Sequence, residues 1–299
     1  MSITALRDLL CTAAPGAGTM DVDVSALNRI VWHVAEDMTV KVEAGVKLND
    51  LQASLAASGQ WLPLDPWDTD ATIKRIIDDN LHGPRRYGFG TVREHLIGME
   101  MLLADGRLIS AGGSVVKNVA GYDLMKLFIG SRQSLGVVVS ATFKLWPLPR
   151  RETFLSCPCA DAAAAAALTA ALVDLPVNPV VMDWHGGQSV TVVTAFAGEV
   201  ADVEWQLKQV EPLGFQEMTG PDYDGRFFKD SPTMGRRSVL PSSLRAAVEE
   251  LNGAPFVARA GNGTIWSGSL GNQKRPPAGG LESRLKEMFD PRGIFSPVP

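Results

Sequence analysis

The chain has 299 residues, which at about 100 to 200 residues per domain suggests two domains and ample material for a core. Hydrophobic residues make up 45% and charged residues 20%, a balance that argues against disordered and fibrous chains. Lys plus Arg total 28 against 33 Asp plus Glu without a basic stripe, so nucleic-acid binding is disfavoured, and the longest uncharged apolar stretch, 162–173, is well short of the roughly 20 residues of a membrane span.

In chain order, residues 4–11 read as a short helix, and Asp8 leaves no apolar run long enough for an export signal, so a cytoplasmic protein is expected. Ala14 to Thr19 is a Gly- and Pro-punctuated loop, followed by β-like pieces at Met20–Val24, Ile30–Trp32 and Val40–Val42. Leu48, Leu51, Leu55 and Ala56 mark an amphipathic helix stopped by Gly59, and 72–81 resembles another. Gly83 to Gly90 is expected to be a loop with tight backbone positions. Two strands around Asp105-Gly106 form a hairpin, Asp123 is expected to cap a helix ending at Gly130, and Val137 to Trp146 is a strand. Pro147 to Arg151 marks a domain boundary. Beyond it, strand 152–157, helix 161–173, strands 180–185 and 189–196 and helix 199–210 imply an antiparallel sheet with helices on one face. A strand near 237–240, a helix to Leu251, a strand pair around 255–268 and a helix over 281–289 complete the chain.

Cys11, Cys157 and Cys159 are an odd set in a chain too long to need disulfides, and Cys157-Pro158-Cys159 has no second ligand pair that would make a metal site. His33, His82, His95 and His185 are dispersed. Gly16-Ala17-Gly18 lacks the third glycine and the following helix of a nicotinamide-binding loop, and the chain has neither a phosphate-binding Gly-Lys-Ser/Thr loop nor a serine-nucleophile elbow.

The specific signal lies between Ala44 and Pro149. Lys117-Asn118-Val119-Ala120-Gly121-Tyr122-Asp123-Leu124, Gly83-Pro84-Arg85-Arg86 and the terminal FDPRGIFSP resemble the FAD-binding subunits of bacterial glycolate oxidases, within the vanillyl-alcohol oxidase (PCMH-type) superfamily. The resemblance spans most of the chain and is weakest over 1–20 and 211–255. It implies an α+β protein with a two-part FAD domain over 1–150, an antiparallel-sheet cap with helices on one face over 151–270, and a C-terminal helix and tail over 271–299 returning to the first domain. It further implies an accessory subunit working beside a catalytic flavoprotein subunit and an iron–sulfur subunit in 2-hydroxy-acid oxidation, with non-covalent FAD and no assigned catalytic acid or base.

A pyrophosphate with two negative charges is best held by backbone N–H groups, which requires glycine where the chain approaches closely. Gly16, Gly18, Gly83, Gly88, Gly130 and Gly136 supply such positions, Thr19 and Ser131 supply hydroxyls, and Ala17, Thr72, Asn118 and Val137 complete the expected cofactor contacts. Lys117 reads equally as a phosphate partner or a solvated lysine, and Arg85 is divided between cofactor, partner surface and solubility.

Three departures stand out. The first glycine loop is short, Lys74-Arg75 stand where the family has Gly-Gly, and Gln133 stands where Gly is usual. Either Lys74, Arg75 and Arg132 replace the missing backbone contacts with charge-assisted bonds, or the pocket has degenerated in a flavin-free structural subunit. The intact remaining glycines favour the first reading.

Overall fold

The computed structural model describes residues 2–16, 20–113, 123–230, 234–271 and 279–298. Contacts divide the chain into two units, Met1–His82 with Gly90–Leu148 and Arg275–Pro299, and Gly83–Phe89 with Pro149–Lys274.

In the first unit, antiparallel strands run in the spatial order Ile30–Val34, Thr39–Glu43, Val137–Lys144, Leu96–Leu102 and Leu108–Gly112. The period-two side-chain alternation explains how one sheet serves two environments. Val40 pairs with Phe143 and Val42 with Ala141, and all four are buried in one core with Leu48, Leu51 and Leu55 of the helix Leu48–Ala56 and with Ile73, Ile76 and Ile77 of the helix Ile73–Asp79. Burying each of the larger aliphatic side chains contributes about 1.5 to 3 kcal/mol. The intervening positions are polar: Lys41 pairs with Glu100 at 2.9 Å, and Ser140 Oγ donates to the same carboxylate at 2.5 Å.

The helix Ile73–Asp79 is fastened at both ends. Thr72 caps its start by accepting from the Arg75 N–H, and Asn80 closes it in the left-handed region, with φ of 50°. The last-turn carbonyls also accept from the loop at 130–136: Gly130 N–H donates to Ile77 O at 2.9 Å, beside the Asn80 N–H, and Arg132 N–H to Asp78 O at 3.0 Å. In that loop Arg132 and Gln133 have φ of 50° and 61°, a region costly for residues with a Cβ. Gln133 has a reason to be there, since its amide donates to Met20 O and accepts from Val22 N–H. Arg132 has only a 3.7 Å ion pair with Asp79 at a well-exposed side chain. Arg132→Gly should therefore raise stability by about 0.5 to 1 kcal/mol in urea denaturation, the relieved strain exceeding the entropy gained by the unfolded chain. A loss would show that its ion pair matters more than its backbone.

Three expectations are corrected. Met20–Val24 forms no strand; Val22 and Val24 are buried, but the Gln133 side chain substitutes for a neighbouring strand. Residues 83–90 are not all loop, because Arg86–Phe89 makes a helical turn whose Gly88 lies so close to Val180 that a Cβ would sit 2.6 Å from its Cα. Asp123 does not cap the helix Met125–Phe128; Leu124 occupies that position, and the Asp123 carboxylate pairs with Lys126.

The second unit is a seven-stranded antiparallel sheet in the order Gln216–Met218, Arg151–Cys159, Val190–Gly198, Val181–Gly186, Phe256–Arg259, Thr264–Ser267 and Gly235–Ser238. Adjacent residues enter separate cores. Met182, Val192 and Ala258 pack with Ala165, Leu172, Val203 and Leu244 of the helices on one face, whereas Val181, Val193 and Val257 pack with Tyr223 and Phe227 of a further helix, Asp222–Asp230. That helix was not read from the sequence. It supplies Tyr223 and Asp224 to a buried network in which Arg259 meets Asp183 at 2.6 Å and Asp224 at 2.7 Å, and Tyr223 donates to Asp183 at 2.7 Å.

Candidate functional site

One cavity of the first unit, of about 570 Å³, lies over the polar sheet face around Lys41, Glu100 and Ser140, and none of its described lining residues is expected to contact a cofactor. A second, of about 630 Å³, is walled by Met20–Ser25, by Thr72, Lys74, Arg75, Asp78 and Asp79 of the helix, by Arg132 and Gln133, and by Ser296 of the C-terminal tail.

The second cavity thus brings Thr72 and Arg132 together with Lys74, Arg75 and Gln133, the three residues that stand where the resembled family carries glycine. Neighbouring Ser131 has a buried hydroxyl with no partner. Gly130, in the left-handed region with φ of 78°, carries the chain from the preceding helix into this loop. Gly136 is required by packing, because a Cβ would lie 2.9 Å from Leu102 O and 3.2 Å from a Phe128 ring carbon. Val137 is fully buried in the core. Gly16 is docked on the tail, its N–H donating to Arg292 O at 2.9 Å. Ala17, Gly18, Thr19, Lys117 and Asn118 lie outside the described residues.

Gly83, Arg85 and Gly88 belong to the second unit. There Arg85 makes a two-pronged ion pair with Glu152, at 2.7 Å and 2.5 Å, and its guanidinium lies 5.1 Å from the centre of the Phe154 ring. Glu152 pairs with the charge that the sequence leaves open between cofactor, partner surface and solubility.

The sequence reading missed the acids. Asp21, Asp23, Asp78 and Asp79 stand in the cavity wall beside the three cations. Lys74 Nζ is 3.0 Å from Asp78 and 3.6 Å from Asp21, Arg75 pairs with Asp68 and lies 3.7 Å from Asp79, and Arg132 shares Asp79. The i,i+4 spacing of Lys74 and Asp78 on a helix was the available signal. Burial pushes the Asp78 carboxyl up to about 6, against the opposing pull of Lys74.

The donor set fits a diphosphate-bearing cofactor. Three cations stand in the wall and can meet phosphate oxygens, the unpartnered Ser131 hydroxyl is buried next to Arg132 in the chain, and no Cys or His stands among the described lining residues.

Residues 9–112 match the FAD binding domain family. The chain is 29% identical to the glycolate oxidase subunit GlcE of Escherichia coli (strain K12), over 92% of this chain and 85% of that protein. It is 31% identical to the glycolate oxidase subunit GlcD of Bacillus subtilis (strain 168), over 61% of this chain and 39% of that protein, and 32% identical to a D-lactate dehydrogenase of Anaerostipes hadrus, over 48% and 30%. It therefore spans most of GlcE but well under half of the other two. Among solved structures, alkyldihydroxyacetonephosphate synthase shares the fold over 90% of this chain and 64% of its own length, with a TM-score of 0.68 at 14% identity. No helix among the described residues is long and apolar enough to cross a membrane. Likeness in sequence and in fold converge on one statement: residues 9–112 form an FAD binding domain whose cofactor is FAD, in a chain similar along most of its length to a subunit of the FAD-linked glycolate oxidases.

Proposed function

We propose that the chain is the FAD-binding accessory subunit of a glycolate oxidase-type complex, acting beside a catalytic flavoprotein subunit and an iron–sulfur subunit in the oxidation of a 2-hydroxy acid. The observation that carries this is the joint one of likeness to GlcE along nearly the whole chain and a cavity in the first unit with cations in its wall. FAD held there would supply the redox chemistry of the complex, the uptake and release of electrons. The chain's own residues bind and orient: Lys74, Arg75 and Arg132 offer charge to the phosphates, Ser131 offers a hydroxyl, and Gln133 holds the wall at Met20–Val22 in place.

No group of three or more His, Cys, Asp or Glu side chains suited to a metal occurs among the described residues, and no catalytic acid or base is assigned. Substrate turnover is assigned to the catalytic flavoprotein subunit on the likeness to a glycolate oxidase subunit. A second reading, a flavin-free structural subunit, is favoured by one observation, the carboxylates paired with all three cavity cations. The visible spectrum of the purified chain, before and after added FAD, separates the two. A flavin band that leaves the protein on acid precipitation is expected. A colourless chain that takes up no FAD yet still assembles with its partners would establish the structural role instead.

A further inference from the structure

We propose that Lys74 is the cation that receives the FAD pyrophosphate and that Asp78, by holding Lys74 across one helical turn, sets how tightly the flavin is held, so that protonation of Asp78 strengthens the site. This rests on the reading that the cavity takes FAD, and goes beyond it by naming the control of affinity.

The three cavity cations differ in their surroundings. Arg75 and Arg132 have side chains 47% and 69% exposed, where water screens both their own pairs and any phosphate they meet. Lys74 is 14% exposed, and in such a place an uncompensated charge acts on a ligand far more strongly than in water. Its charge is compensated, however, by Asp78 at 3.0 Å, whose side chain is 8% exposed and whose second oxygen, Oδ1, is buried without a partner. A pyrophosphate drawn to Lys74 must therefore approach an anion already bound to the same ammonium. The like-charge repulsion weakens the site until that anion is neutralised.

Asp78 is placed to be neutralised. Burial is the largest influence on it and raises it to about 6; Lys74 opposes, while Asp79 on the same helix and Asp21 on the facing segment add to the rise. Arg132, from the loop fastened to this helix, pairs with Asp79 rather than with Asp78. The sign follows from linkage. FAD prefers the protonated form, so binding takes up a proton, and affinity rises as pH falls through about 6 and declines above it.

The test measures FAD dissociation constants by titration calorimetry on the full chain at pH 5.5 and pH 7.5, with circular dichroism confirming the fold of each protein. The wild type should bind about tenfold more tightly at the lower pH, as expected where protonation of one carboxylate controls binding. Asp78→Asn, which keeps size and shape, should bind at pH 7.5 at least about tenfold more tightly than the wild type and lose the pH dependence. Lys74→Met should bind weakly at both pH values, and adding it to Asp78→Asn should abolish the gain. If the wild type binds FAD but Asp78→Asn binds no more tightly, or if the double variant keeps the gain, the assignment of Lys74 and Asp78 is overturned while the flavin reading stands. Failure of every protein to bind FAD at either pH overturns the flavin reading, and this inference with it.

Discussion

Arg259→Met should destabilise the second unit by about 3 to 5 kcal/mol, the cost of removing one partner from a buried ion network. Arg259 is 1% exposed, as is Asp183, and Asp224 is 3% exposed in its side chain; the single guanidinium holds both carboxylates. Two acids share one cation, and burial raises both carboxyls, Asp183 to about 7. Without the arginine, each carboxylate can remain inside only by taking up a proton. Folded-state values raised above the unfolded ones give stability that is present at low pH and lost as pH rises through them, so the deficit of Arg259→Met should be larger at pH 8 than at pH 5. Urea denaturation at the two pH values checks it. Adding Asp183→Asn and Asp224→Asn should recover much of the loss, since no buried charge then remains unpaired. A deficit below about 1 kcal/mol, insensitive to pH, would show that the network is solvated and that the helix Asp222–Asp230 is held by Tyr223 and Phe227 alone.

This network also shows where reading the sequence reached its limit. The helix Leu48–Ala56 is legible because burial of one face leaves a pattern of 3.6 residues, and the strand Val137–Lys144, buried along nearly its whole length, because it is a short β-branched apolar run closed by prolines. The helix Asp222–Asp230 left a weaker trace. Its buried Asp224 reads as a surface acid until Arg259, thirty-five positions later, is known to face it. Met20–Val24 failed in the opposite way: the alternation was real and its burial was real, but a strand needs backbone partners, and here a single glutamine side chain supplies them.

The cavity was legible in the same uneven manner. Lys74, Arg75 and Gln133 were conspicuous because they replaced glycines, and the structure brings all three to one wall. Asp21, Asp78 and Asp79 went unread because an acid near a lysine in sequence is usually a solvated pair, and only burial turns Asp78 into a competitor for the ligand. Gln133 stands out in the sequence as a side chain at a glycine position. Its left-handed backbone is indeed a conformation that suits glycine, yet its amide ties down the segment that closes the cavity.

The terminal FDPRGIFSP, noticed only as a resemblance, has a physical account that leads to the second large expected effect. The Asp290 side chain, fully buried, accepts from Lys286 Nζ at 2.6 Å and from the N–H groups of Ile294 and Phe295 at 3.0 and 2.9 Å. Lys286 Nζ in turn donates to Ser134 O and to Phe295 O and Ser296 O, which joins the last helix, the tail and the loop at 130–136. Ile294 and Phe295 are core residues, Ile294 O accepts from the Met20 N–H, and Ser296 and Met20 both line the cavity. Asp290→Ala leaves the Lys286 ammonium without its counter-ion and two buried N–H groups short of a partner, so a loss of about 3 to 5 kcal/mol is expected. Asp290→Asn, which keeps an acceptor oxygen, should lose less. Because the same carboxylate fixes two parts of the cavity wall, Asp290→Ala should also weaken FAD binding under conditions where the chain remains folded, while limited proteolysis should begin in the tail. Early tail cleavage with unchanged FAD affinity would show that the tail closes the core without shaping the cofactor site.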